Sequence, residues 1–229
     1  AGRNLESNFL SVKNSKIAQK QKGKILQLLT LQFLSEKKDI ILIGNPGVGK
    51  THLALALAAT ACENRKTALF TSAVAMINDL ARAQRQGDLD IGLKRYLKPN
   101  ILVVDELGYL PVDKLGAELL FQILAGRYDK ASTIITTNRA YSDWIQTFAN
   151  DNAMTAAVLD RVVHRCNTVR IIGDGRVPRP NNSTKSDTAK AGLGLSQDPL
   201  FSGRIKNAGS GRTEKPAITS FVVVGLDVK

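Results

Sequence analysis

The sequence predicts an α/β fold with a five-stranded parallel sheet flanked by helices. Two observations carry this. Five short runs, apolar on both faces, alternate with stretches whose apolar residues recur at helical spacing, and strands covered on two sides by intervening helices form parallel sheets. The first run also ends in a glycine-rich loop that leads straight into a helix pattern.

Each element can be justified in order. Residues 25–34, ILQLLTLQFL, follow a basic stretch, but Gln27, Thr30 and Gln32 interrupt the apolar run. The segment therefore predicts an amphipathic helix and not a signal sequence, and no run in the chain reaches transmembrane length. DIILIG (39–44) predicts a buried strand, and KTHLALALAATACE (50–63) sets Leu53, Leu57 and Ala61 at helical spacing. TALFTS (67–72) is a second strand. AVAMINDLARAQRQG (73–87) is a helix with Met76, Leu80 and Ala83 on one face and a stop at Gly87. NILVVDE (100–106) is the third strand, and DKLGAELLFQILAGRYD (113–129) is a helix with apolar Leu115, Leu119, Phe121 and Leu124. STIITTN (132–138) is a fourth strand, NAMTAAVLDRVVHR (152–165) a helix and NTVRII (167–172) a fifth strand. Trp144 is expected to pack under a loop.

The texture changes from Asp174. The stretch up to Pro216 holds four of the seven prolines and is rich in Gly, Ser and Asn. It has too little apolar surface to offset its ordering entropy, so residues 174–229 predict a disordered tail. The final ITSFVVVGLDVK has strand character but no evident partner, and is an aggregation risk. The organisation is then a basic helical segment (1–38), a core domain (39–173) and the tail.

Net charge is +12 over 229 residues. Residues 1–38 hold eight Lys/Arg against two Glu, 39–173 hold fifteen against thirteen, and 174–229 hold nine against five. The positive field therefore sits at the ends, which favours a polyanion partner over plain solubility charge. Cys62 and Cys166 match no metal spacing and no disulfide framework. Two buried thiols suit a reducing cytosol, so the expected location is cytoplasmic, with no membrane partner.

GNPGVGKT (44–51) fits G-x-x-x-x-G-K-[ST] and lies between a buried strand and a helix, as that phosphate-cradling loop requires. Its glycines let successive N–H groups face phosphate oxygens, and the helix N-terminus adds partial positive charge. Lys50 is placed for the β- and γ-phosphates and Thr51 for a Mg²⁺ ion. The binding segment is Gly44, Asn45, Pro46, Gly47, Val48, Gly49, Lys50, Thr51 and His52. His52 and His164 lack metal-ligand company, and both side chains read as structural.

ILVVDE (101–106) ends in two carboxylates at the edge where open α/β sheets bind ligands. Asp105 is the second candidate for the Mg²⁺ shell, and Glu106 is placed to orient or deprotonate a water. The strand 132–138 can lie between the loop strand and the VVDE strand. Asn138 would then reach the γ-phosphate or the attacking water, the alternative being a capping Asn. Arg161, between Leu159 and Val162, is a candidate arginine finger toward a neighbouring subunit. The alternatives for it are an ion pair with Asp160 or Asp129, or surface charge.

The loop, the VVDE strand and the TTN strand together resemble the AAA+ class of P-loop ATPases. More narrowly, GNPGVGKTHLALALA, ILVVDELGYLPVDKLGAELLFQILAGRYDKASTIITTNRAYSDW and AAVLDRVVHR resemble the IstB-like transposition helper ATPases, relatives of DnaC-type helicase loaders, over about residues 20–173. The resemblance implies an AAA+ sheet without a separate lid domain. It assigns Lys50 and Thr51 to Walker A, Asp105 and Glu106 to Walker B, Asn138 to sensor one and Arg161 to the finger, with ATP and Mg²⁺ as cofactors. It also implies a homo-oligomer in the ATP state that binds DNA with little sequence preference and hands target DNA to a transposase. The chain departs from the family in a shortened N-terminal helical part and in the unrelated texture after the fifth strand, which resembles read-through or a frame change; no sensor-two arginine is matched, in keeping with a group that lacks that lid. Two other functions stay open: a DnaC-like loader of a replicative helicase, and a nucleotide-binding relic without turnover.

Overall fold

The computed structural model describes residues 19–172 and 220–223. It opens with helices α1 (Gln19–Leu29) and α2 (Gln32–Ser35). The single helix expected over 25–34 is broken at Leu31, whose left-handed φ of 58° turns the chain. The break brings Ile25, Leu28, Phe33 and Leu34 into one core, which a straight helix with polar residues at 27, 30 and 32 would not do as well.

The remaining elements are β1 (Asp39–Ile43), α3 (Lys50–Glu63), β2 (Ala68–Ser72), α4 (Ala73–Gln86), α5 (Leu89–Leu97), β3 (Ile101–Asp105) and α6 (Lys114–Arg127), followed by β4 (Ser132–Thr137), a 3₁₀ turn at Tyr141–Asp143, α7 (Trp144–Thr147), α8 (Asn152–Val163), β5 (Cys166–Arg170) and β6 (Ser220–Val223). Sheet order is β5-β1-β4-β3-β2-β6. The five expected strands are all parallel, and β4 lies between β1 and β3.

Three expectations are corrected. Residues 220–223, read as having strand character but no evident partner, pair antiparallel with β2, Ala68 opposite Val223 and Thr71 opposite Ser220. The outer edge of β2 offers unpaired backbone groups, and a run of β-formers satisfies them. The rest of the tail, and residues 1–18, lie outside the described residues. Helix α5 was not expected after the stop at Gly87, whose φ is 79°. It packs on α4 because Gly92 permits close approach: a Cβ there would lie 3.0 Å from that of Ala83. Finally, Cys62 and Cys166 are half-buried, not buried.

Every residue of β3 and β4 is buried, as strands covered on two faces must be. Ile40, Leu42, Ile101, Val103 and Ile134 meet α1, α2 and α3 on one face. Ile41, Leu102, Val104 and Ile135 meet α4, α6, α7 and α8 on the other. Trp144 is 1% exposed and packs edge-on against Tyr141 and Phe148 in the core. Among the described residues, no helix is long and apolar enough to cross a membrane.

At the amino end of β4, α6 closes on Arg127, which is 1% exposed. Its guanidinium donates to the carbonyls of Tyr96 (2.7 Å), Pro99 (3.0 Å) and Ser132 (2.7 Å) and to Thr133 Oγ1 (3.1 Å). One side chain thereby ties the end of α5 to the start of β4.

Candidate nucleotide-binding site

The loop between β1 and α3 is shaped by close approach. Gly44 donates its N–H to the Thr137 carbonyl at 3.2 Å, and the Ile171 N–H donates to the Ile43 carbonyl at 2.7 Å. A Cβ on Gly44 would lie 2.3 Å from the Ile171 carbonyl oxygen, so only glycine fits there. Gly47 (φ 78°) and Gly49 (φ 96°) take left-handed conformations that side chains resist. Gly49 is the N-cap of α3, with no capping side chain and no acidic residue in the first turn. The helix start thus presents its N–H groups and partial positive charge to an anion.

Lys50 Nζ donates to the carbonyls of Gly44 (2.8 Å) and Asn45 (2.9 Å). Burial pulls its ammonium below the ordinary lysine range, while the carboxylates of Asp105 and Glu106 pull it back up. Thr51 Oγ1 donates to both Asp105 oxygens, at 3.0 and 3.2 Å. A hydroxyl and a carboxylate in contact are hard oxygen donors, and they fit Mg²⁺, which keeps several waters and takes its other ligands from phosphate. The described residues contain no group of three His, Cys, Asp or Glu that would make an all-protein cage for another ion.

Glu106 follows β3 in a left-handed conformation (φ 58°), and its side chain is exposed. It lines a cavity of about 330 Å³ together with Pro46, Gly47, Gly49, Lys50, Thr51, His52 and Thr136. Sequence reasoning missed Thr136. Its Oγ1 donates to Asp105 Oδ1 at 2.5 Å and accepts the Glu106 N–H at 2.9 Å. The available signal was strand parity: in β4 it shares the α3 face with Ile134, opposite the row that ends in Asp105.

The structure therefore brings together Lys50, Thr51, Asp105 and Glu106. Asn138, exposed one residue past β4, is not among the residues lining the cavity, and neither is Arg161. The Arg161 side chain is 44% exposed, lies 4.0 Å from Asp160 Oδ2 and stands over the Tyr128 ring at 5.5 Å. Arg165 falls beyond the end of α8, pairs with Asp129 and donates to the Glu36 carbonyl at 3.1 Å. His164 Nδ1 lies 3.4 Å from the Tyr128 hydroxyl. A second cavity, of about 310 Å³, lies between α1, α2 and β5. There Glu36 is paired with Lys38 (2.8 Å) and accepts from Gln32 (2.8 Å).

Residues 7–185 match the family described as IstB-like ATP binding protein. The chain belongs to that family. It is 37% identical over 166 residues to the IS232 insertion-sequence protein of Bacillus thuringiensis subsp. berliner, covering 72% of this chain and 66% of that protein. It is also 37% identical over 150 residues to the IS21 insertion-sequence protein of Pseudomonas aeruginosa, covering 66% of this chain and 56% of that one. The names of both describe ATP-binding proteins of insertion sequences. This IstB-like chain thus spans between about half and two thirds of the length of those relatives. Its fold is that of AAA+ P-loop proteins. It superposes on the DnaC helicase loader with a TM-score of 0.58 and 25% identity, covering 75% of this chain and all of that one. AMPPCP-bound DnaA from Aquifex aeolicus shares the fold at a TM-score of 0.58 and 16% identity, over 70% of this chain and 49% of that one.

Proposed function

We propose that this IstB-like protein binds ATP with Mg²⁺ at the β1–α3 loop, hydrolyses it, and uses the cycle as a switch in transposition. In the ATP state it assembles on DNA as a homo-oligomer and delivers the DNA to a transposase. The observation that carries the hydrolytic reading is Glu106: it lines the same cavity as Lys50 and Thr51, next to an Asp105 already in contact with Thr51. A loop that only gripped nucleotide has no use for that second carboxylate.

The roles follow from chemistry. Loop N–H groups from Gly44 to His52 cradle the phosphates, and Lys50 exchanges its two carbonyl partners for β- and γ-phosphate oxygens. Thr51 and Asp105 hold Mg²⁺, which when bound neutralises phosphate charge. Glu106 orients a water and accepts its proton. Asn138 steadies that water or the γ-phosphate. Arg161 leaves Asp160 and Tyr128 to reach a neighbouring subunit's nucleotide. The charge of +12 supports a DNA partner read through phosphates, with affinity falling steeply as salt rises. The insertion-sequence relatives support a transposase as client.

The test is ATP hydrolysis with and without duplex DNA, at low and moderate salt, beside Glu106→Gln. We expect DNA to stimulate the native protein and Glu106→Gln to lose turnover by about a thousandfold while still binding ATP. ATP binding without turnover under every condition would leave the loop as a grip only. A second reading, a loader of a replicative helicase in the cytoplasm, draws on the likeness to DnaC along its whole length. Capture of a helicase and not a transposase by the ATP-bound protein would favour it.

A further inference from the structure

Thr136 lies at the carboxyl end of β4 and is wholly buried. A buried hydroxyl must find partners, and both of those seen for this one belong to the candidate hydrolytic site. The Glu106 N–H can only donate, so it occupies a lone pair of Oγ1 at 2.9 Å. That leaves the single hydroxyl proton for Asp105 Oδ1, at 2.5 Å. The Thr136 backbone carbonyl separately accepts the Leu107 N–H at 2.9 Å. The peptide between Asp105 and Glu106 is thus gripped where the chain enters the left-handed conformation of Glu106, one that a residue with a Cβ does not adopt unaided. A β-branched side chain has a stiff χ1, which suits a clamp.

We propose that the Thr136 hydroxyl is the positioning group of this site, orienting the Asp105 carboxylate and, through the Glu106 N–H, holding the backbone that presents the Glu106 carboxylate to the cavity. Its consequence for turnover rests on the hydrolytic reading above; the clamp itself does not. Thr136→Val keeps the shape and removes the hydroxyl, while Thr136→Ser keeps the hydroxyl.

The first measurement is amide hydrogen exchange in the full chain without nucleotide or metal. Glu106 should exchange about tenfold faster in Thr136→Val than in the native protein, with Thr136→Ser close to native. Leu107, bonded to the Thr136 carbonyl, should keep its protection in all three and so report any general loosening. The second is steady-state ATP hydrolysis. Thr136→Val should lower kcat about 100-fold with KM for ATP little changed, and Thr136→Ser should recover most of it. The inference is overturned if Glu106 exchange is unchanged in Thr136→Val, if kcat is unchanged, or if Thr136→Ser is as impaired as Thr136→Val. Should the native protein itself show no turnover, the hydrolytic reading fails and the exchange data alone decide the clamp. Should Thr136→Val not fold, Thr136→Ala takes its place under the same criteria.

Discussion

The two ends of the sheet each seat a cation on backbone carbonyls, and the difference between them separates structure from function. At the amino end of β4, Arg127 is 1% exposed and its donors are spent on Tyr96, Pro99, Ser132 and Thr133. At the carboxyl end of β1, Lys50 sits on Gly44 and Asn45, but beside a cavity of about 330 Å³. The first network is closed by packed helices and has nothing to exchange with. The second is built on a loop, and its cation can trade two carbonyls for an anion.

The sharpest way to break this contrast is a matched pair of substitutions. Arg127→Met removes a guanidinium and strands several buried acceptors, so the protein should lose about 3–5 kcal/mol, read from urea midpoints. Lys50→Met should leave those midpoints within about 0.5 kcal/mol and abolish binding of a fluorescent ATP analogue. A destabilised Lys50→Met, or an Arg127→Met as stable as the native chain, would erase the distinction.

Gly44 stands where packing and site meet, so Gly44→Ala should show both phenotypes at intermediate size. The added Cβ meets the Ile171 carbonyl oxygen at 2.3 Å, a backbone atom that no rotamer change can move. Forcing the ends of β1 and β5 apart should cost about 1–3 kcal/mol and weaken nucleotide binding with it. Loss of stability with native affinity would mean that the loop does not depend on the β1–β5 contact.

What could be read from the sequence follows the same division. The loop at 44–51 was legible because a phosphate demands its backbone and side-chain donors within one short segment. Asp105 and Glu106 were legible because they stand together at a strand end. Thr136 was not, because it meets Asp105 only through the β3–β4 pairing, 31 residues away in sequence, and strand parity points it at Asp105 only once that pairing is known. Arg127 gave no sign of its role for the same reason: its acceptors lie at the end of α5, just beyond it and at the start of β4. Helix α5 was hidden by glycines at 87 and 92, the second of which serves packing and not a turn. The antiparallel partner of β2 comes from residues about 150 positions later, a distance over which local pattern carries no register.

The smallest expected effect probes the closed end by pH. Asp39 accepts the Thr133 N–H at 2.6 Å. Burial pushes its carboxyl from 3.8 up to about 6, against the pull of Thr133, Arg127 and Arg165. Between about pH 4 and 6 the folded chain therefore keeps a proton that the unfolded chain has released. The native state binds more protons in that window, so this group's contribution is complete below the unfolded value and is lost as pH rises through about 6. Asp39→Asn keeps an oxygen for the Thr133 N–H and removes the titration. Relative to it, the native protein should lose about 1–2 kcal/mol between pH 4 and 7. Urea midpoints of the two proteins at four pH values check this. Parallel curves would mean that the Asp39 carboxylate is as well held as it is in water, and that the closed network already meets its charge in full.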